Sequence, residues 1–315
     1  MTIFSMSRRL TSGWIVSALL LLAGCASGPV SPVERMSSWR PLYGIAAPSA
    51  EELAGFEQVA IGKSEEGRPQ LHNGVAFRRV SVAGRDCVLF VTGVSVVNAA
   101  MTTQLALDRF ALTHVILLGA AGGVNPVRQS GEVVIPDRWT YHTEAAYRNP
   151  TPNGSAWELP PGVTPVVPNF GMIFPEIVEV TRAGPAGPQP VPSFESDPGL
   201  RAAALKVSTD RSNSILDGTW PKMVTSGMGV SGPAFVDNRE YRSWLYRAWQ
   251  AEIVDLESAA VAQVCWANRV PFISVRAVAG LAGGNLDDSA PTRSSPPVIH
   301  QAARVVLEML RQLPD

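Results

Sequence analysis

Apolar residues along this chain come in short blocks that stop at glycine or proline, and helical periodicity follows several of them. Cys87 to Val91 is one such block; it ends at Thr92-Gly93, and residues 96–110 then read as a helix. His114 to Leu118 runs into Gly119-Ala120-Ala121-Gly122-Gly123, and Glu132 to Ile135 stops at Pro136. Met223 to Thr225 enters Ser226-Gly227-Met228-Gly229. Ile253 to Glu257 leads into a helical run from Ser258 to about Asn268, and Pro271 to Val278 closes on Gly280 and Gly283-Gly284. Residues 296–312 repeat as an amphipathic helix. Apolar strands alternating with helices predict an α/β architecture whose sheet is largely buried. Ligands of such sheets bind beyond the carboxyl ends of the strands, which is where the glycine turns fall.

Two stretches break this rhythm. Between Thr143 and Trp220 the chain is proline-rich with weak periodicity, and reads as a loop-rich insertion over one face. At the N-terminus, Arg8 and Arg9 precede the apolar run Trp14 to Leu22, which meets Ala23-Gly24-Cys25. That is the layout of an export signal, too short for the ~20 apolar residues that span a bilayer. Leu22-Ala23-Gly24-Cys25 resembles the bacterial lipobox, which implies that Cys25 is acylated and becomes the mature N-terminus. Ala26 in place of aspartate implies sorting to the outer membrane, with the domain facing the periplasm. The expected organisation is a signal peptide over 1–24, a Ser/Pro/Gly tether over 25–40 and one domain over 41–315.

Composition narrows the function classes. Hydrophobic residues make up 46% of the 315 and charged residues 17%, so a large core is available and wholesale disorder is excluded. The net charge is −1 without a run of either sign, which argues against a dedicated nucleic-acid binder. Three cysteines and four histidines fit no ligand spacing, so neither a metal site nor another cofactor is expected. An oxidising compartment would let Cys87 and Cys265 pair, but each sits in an apolar stretch and reads as a buried small hydrophobe.

Two segments carry candidate chemistry. The glycine-rich run 119–123 exposes bare backbone to a ligand, yet it is neither the dinucleotide fingerprint nor a P-loop. Asp255 and Glu257 stand two apart at a strand end, on one face. A carboxylate accepts two hydrogen bonds at once, which suits a vicinal diol such as that of ribose. The alternative is that Glu257 merely caps the helix that follows.

Larger motifs then point to a family. Gly229-Val230-Ser231-Gly232-Pro233-Ala234-Phe235-Val236-Asp237, Val254-Asp255-Leu256-Glu257-Ser258-Ala259-Ala260 and Pro271-Phe272-Ile273-Ser274-Val275-Arg276 resemble the nucleoside phosphorylase/nucleosidase superfamily. The resemblance is greatest to methylthioadenosine/S-adenosylhomocysteine nucleosidases and the plant bark storage proteins. It implies a three-layer αβα fold around a central mixed, mostly parallel sheet, a nucleoside ligand and a homo-oligomer. It also implies roles: Glu257 for the ribose hydroxyls, Phe235 with the Val236 backbone for the base, and Glu52 for the attacking water. Gly93, Ala120, Gly122, Asp255, Leu256, Arg276 and Gly280 are expected to complete the binding site.

The departures matter equally. The family ends this strand with Arg-x-x-Ser-Asp, whose aspartate makes the purine a better leaving group; here the run is Arg276-Ala277-Val278-Ala279-Gly280. Asp287 and Asp288 follow in a glycine-rich loop as candidate replacements. Family phosphorylases place a cationic group within the segment from Pro41 to Ile61, which here has no Arg or Lys, favouring hydrolysis over phosphorolysis. Two functions remain expected: a nucleosidase acting on purine nucleosides, or a nucleoside-binding or storage-like lipoprotein without turnover.

Overall fold

The computed structural model describes residues 40–61, 68–154, 156–160, 162–184, 187–209, 220–284 and 295–314. Cys25, the signal peptide, the tether up to residue 39, and Asp287 and Asp288 lie outside the described residues. Four parallel strands sit at the centre, each apolar on both faces. They are β1 (Leu42–Ala47), β4 (Arg85–Val91), β5 (His114–Gly123) and β16 (Phe272–Leu281). Successive side chains alternate between faces, so one strand feeds two cores. Ile45, Leu89, Ile116, Leu118, Ile273 and Val275 pack on one side; Ala46, Val88, Phe90, Val115 and Leu117 pack on the other.

The sheet has twelve strands among the described residues. Beyond β4 lie β3 (Val75–Val82) and β2 (Gln70–His72), both antiparallel. On the other side of β5 come β15 (Ala251–Asp255), β14 (Met228–Ser231), β7 (Arg138–Tyr141) and β12 (Phe194–Glu195). Two short strands, β6 (Val133–Val134) and β13 (Met223–Val224), continue from β16. The sheet is thus mixed: β7, β14 and β15 pair in parallel, β15 meets β5 antiparallel, and β12 joins its edge antiparallel.

Helices cover both faces. α1 (Ala50–Ala60), α3 (Pro198–Thr209) and α6 (Pro296–Gln312) bury Phe56, Leu200, Val305 and Met309 on one face. α2 (Val96–Arg109) and α5 (Ser258–Asn268) bury Ala99, Ala106, Val261 and Cys265 on the other. α4 (Arg239–Trp249) packs Trp244 and Leu245 beside β15. Ser295 stands at the start of α6 without a side-chain capping bond, and proline opens the first turn, where a missing N–H costs nothing. Among the described residues no helix is long and apolar enough to cross a membrane. Cys87 and Cys265 are buried free thiols, and burial pushes the Cys87 thiol up to about 12.

Two expectations change. The segment 119–123 is not a turn but the end of β5, because lateral partners continue on both sides: Gly122 pairs with Val254 and with Gly280. Packing is close there, since a Cβ on Gly122 would stand 3.1 Å from that of Ala282, which would have to give way slightly. The insertion 143–220 is more structured than its proline content suggests. It holds two small two-stranded pairs, β8 (Ala145–Tyr147) with β9 (Ile173–Pro175) and β10 (Val178–Val180) with β11 (Gln189–Val191). It also supplies β12 and α3, which packs against α6.

Candidate active site

A cavity of about 550 Å³ opens at the carboxyl ends of β1, β5, β15 and β16, within the range of small-ligand sites. Its wall contains Glu52, Ala120, Gly122, Phe235, Val236, Asp255, Leu256 and Glu257 of the residues singled out from sequence. Gly93, Arg276 and Gly280 do not line it. Gly93 turns the chain at φ +81 and leaves Val94 in the wall instead. Arg276 is fully buried behind the wall. Gly280 lies at an irregularity in the β16–β5 register, and its neighbour Ala279 faces the cavity.

Glu52 is placed by the start of α1. Ser49 caps that helix, accepting from the Glu52 N–H at 3.2 Å and donating its hydroxyl to Glu52 Oε2 at 2.8 Å. The other carboxylate oxygen accepts from the Ala120 N–H at 2.9 Å. The approach is possible because residue 119 is glycine: a Cβ there would stand 2.7 Å from Glu52 Oε1 and 2.4 Å from Arg276 Nη1. Bare backbone in the glycine-rich segment thus receives a side chain of the protein itself.

Asp255 and Glu257 divide their labour differently from the sequence reading. Asp255 is saturated: Oδ1 accepts from Ser231 Oγ and from the N–H groups of Glu257 and Ser258, and Oδ2 accepts from Ser258 Oγ and Arg276. It is Asp255, therefore, that caps α5 and anchors Arg276, whose Nη2 lies 2.7 Å from Oδ2. No lone pair remains on it for a diol. Glu257 makes no capping bond from its side chain. Its Oε2 accepts from Arg276 at 3.1 Å and its Oε1 from the Ser95 N–H at 3.1 Å, which fixes the carboxylate in the cavity wall. Burial raises the Glu257 carboxyl to about 7, Arg276 opposing and Asp255 adding to the rise.

Sequence reasoning missed Ser95. It stands at φ 85, ψ 153, a region nearly exclusive to glycine, and so aims its N–H at Glu257. Its hydroxyl makes no cap bond to α2. Ser95→Gly is accordingly expected to keep the Glu257 contact and raise stability by about 1 kcal/mol, strain relief exceeding the entropy glycine adds to the unfolded chain. A thermal melt checks this; a lower melting temperature would refute the strain.

Across the cavity, the loop after β14 presents Phe235, 62% exposed and open to a flat partner on its face. Its exit is clamped. Arg242 of α4, itself buried, donates to the carbonyls of Ala282 and Gly284 at 2.9 and 2.8 Å. Gly283 meets the chain so closely that a Cβ would lie 2.7 Å from the Arg239 nitrogen. The arrangement is one flat apolar platform facing two positioned carboxylates.

A family model described as the phosphorylase superfamily matches residues 42–313. The chain belongs to that superfamily. A 5′-methylthioadenosine/S-adenosylhomocysteine nucleosidase of Marinomonas sp. (strain MWYL1) is 30% identical over 235 residues, covering 72% of this chain and 83% of the relative. The enzyme of that name from Bacillus thuringiensis (strain Al Hakam) is 27% identical over 230 residues with the same coverage. Among solved structures, the nucleosidase of Colwellia psychrerythraea 34H in complex with adenine superposes with a TM-score of 0.64 at 22% identity, covering 87% of this chain and 96% of that one. Futalosine hydrolase of Helicobacter pylori strain 26695 gives 0.61 at 17%, covering 87% and 98%. The superfamily's α/β fold is the one described above.

Proposed function

We propose that this protein is a nucleosidase that hydrolyses the N-glycosidic bond of purine nucleosides of the methylthioadenosine/S-adenosylhomocysteine type. The observation that carries the reading is the pair of carboxylates, Glu52 and Glu257, held rigidly in one cavity opposite Phe235. Phe235 stacks the base, Glu257 accepts from the ribose hydroxyls, and Glu52 orients and deprotonates the attacking water. Similarity to the Marinomonas and Bacillus nucleosidases supports the substrate class. Water is favoured over phosphate because no Lys or Arg stands among the described residues of the wall, and the guanidinium of Arg276 is committed to Asp255 and Glu257. The test is free base released from methylthioadenosine, adenosine and inosine, with and without phosphate. Release that required phosphate, or no release, would overturn it. Ala279 and Gly280 favour the second reading, a nucleoside-binding lipoprotein without turnover, and tight binding without release in this assay would establish that reading instead.

The proposal extends to location and assembly. Acylation of Cys25 would hold the domain at the outer membrane, its buried chains contributing ~0.8 kcal/mol per CH₂. Cys25→Ala is expected to leave the membrane fraction and lose the mass of the lipid; retention with unchanged mass would refute the anchor. Val94, Val97 and Met101 form an exposed apolar face on and before α2, at the rim of the cavity, which supports a homo-oligomer.

A further inference from the structure

We propose that Asp237 is the acid of this site, handing a proton to the departing purine in place of the residue that Ala279 and Gly280 lack. The assignment rests on the nucleosidase reading and adds a catalytic residue to it. Among the described residues five carboxylates stand in the cavity wall: Glu51, Glu52, Asp237, Asp255 and Glu257. Asp255 has no lone pair to spare, Glu257 is held by Ser95 and Arg276, and Glu52 by Ser49 and Ala120. Glu51 belongs to the first turn of α1 beside Glu52, at the end of the cavity where water attacks. Among the described residues Asp237 alone stands beside the base platform, two residues beyond Phe235, and there its side chain is engaged in no hydrogen bond or ion pair.

Its position is enforced by the fold. Asn238 caps α4, its side chain accepting from the Tyr241 N–H at 2.7 Å, so Asp237 is the residue just ahead of the helix. The clamp of Arg242 onto the Ala282 and Gly284 carbonyls pulls that helix start against the end of β16. A Cβ on Gly283 would come within 2.7 Å of the Asn238 carbonyl carbon and 2.9 Å of its nitrogen, the atom bonded to Asp237. Asp237 therefore shares one stretch of wall with Ala279, Ala282 and Gly283, beside the strand end that has no carboxylate of its own. The carboxyl group thus comes from the loop packed upon the β16 end.

The proton balance is simple. The bond from C1′ to N9 breaks with its electron pair passing to N9, while Asp237 gives its proton to N7. Water oxygen bonds to C1′ and surrenders its proton to Glu52. Solvent returns that proton from Glu52 to Asp237, leaving free base and sugar.

The experiment compares two leaving groups on the full-length protein. 5′-Methylthioadenosine needs its purine protonated; 4-nitrophenyl β-D-ribofuranoside releases a stable anion and does not. Asp237→Asn is expected to lower kcat for adenine release by ~100-fold or more. The same variant should hold nitrophenol release within about twofold of wild type, with KM for methylthioadenosine little changed. Glu240→Gln, on the exposed side of the same helix turn, should match wild type on both. Adenine release undiminished in Asp237→Asn, or equal losses on both substrates, would overturn the assignment while the nucleosidase reading stood. Wild-type protein that cleaves neither substrate would overturn that reading, and Asp237 with it.

Discussion

Arg276→Met is expected to lower the unfolding free energy by roughly 3–5 kcal/mol, the scale for breaking a buried ion network by removing one partner. Methionine replaces the aliphatic stem and vacates the guanidinium's place, so the loss reports the ion network together with a small cavity. Arg276 is fully buried, and its guanidinium reaches Asp255 at 2.7 Å and Glu257 at 3.1 Å. Without it, Asp255 keeps the Ser231 and Ser258 hydroxyls and two N–H groups, but among the described residues Glu257 keeps only the Ser95 N–H. Arg276 is also the group that lowers the Glu257 pKa against burial, so Glu257 takes up a proton at higher pH in the variant. Adding Glu257→Gln should return part of the lost stability, since the orphaned charge is then gone. Urea denaturation of the single and double variants measures both terms. A loss below about 1 kcal/mol in the single variant would show that the network does not hold the site.

Much of this was legible because single rules governed it. α6 spans 296–312 as the periodicity predicts, since proline starts it and its buried Val298, Ala302, Val305 and Met309 repeat at helical spacing. α5 and the strand before it fall within two residues of expectation. Glu52 came from the family resemblance, while its Ser-x-x-Glu spacing, the capping pattern that brings its carboxylate round to the hydroxyl, was a signal that went unread. α3 carries the same signal in Leu200, Ala203, Ala204 and Val207, but it was submerged among prolines and small strands too short to show a period. Other features could not be read from spacing. Asp255 and Glu257 look equivalent in spacing, and only the third dimension, which brings the Ser231 and Ser258 hydroxyls to Asp255 while Arg276 reaches both, makes Asp255 a strut and leaves Glu257 open to the cavity. Ser95 gives no sign, because a strained backbone is imposed by its neighbours and not by its own side chain. Asp237 was visible within its motif, yet its nearness to β16 depends on Arg242 reaching across from α4.

Glu52→Gln should reduce hydrolysis by ~10²–10⁴-fold, the contribution of a positioned base. Glutamine keeps the shape and both anchors: its carbonyl accepts from the Ala120 N–H, and its amide donates to Ser49 Oγ. What it loses is the capacity to take a proton from water. The melting temperature and KM should therefore stay near wild type while kcat falls. The pH profile separates this role from that of Glu257. Burial holds the Glu257 carboxyl at about 7, so the carboxylate that accepts from ribose forms only as pH rises through that value. On 4-nitrophenyl β-D-ribofuranoside, whose leaving group needs no acid, wild-type kcat/KM is expected to climb from pH 6 to pH 8 through tighter substrate binding. Glu52→Gln lowers that curve along its whole length without erasing the climb, because Glu257 remains. Glu257→Gln does the opposite, raising KM and flattening the climb, because an amide does not titrate. Wild-type kcat in Glu52→Gln would remove Glu52 from the chemistry; a climb that survives in Glu257→Gln would assign the titration to another group.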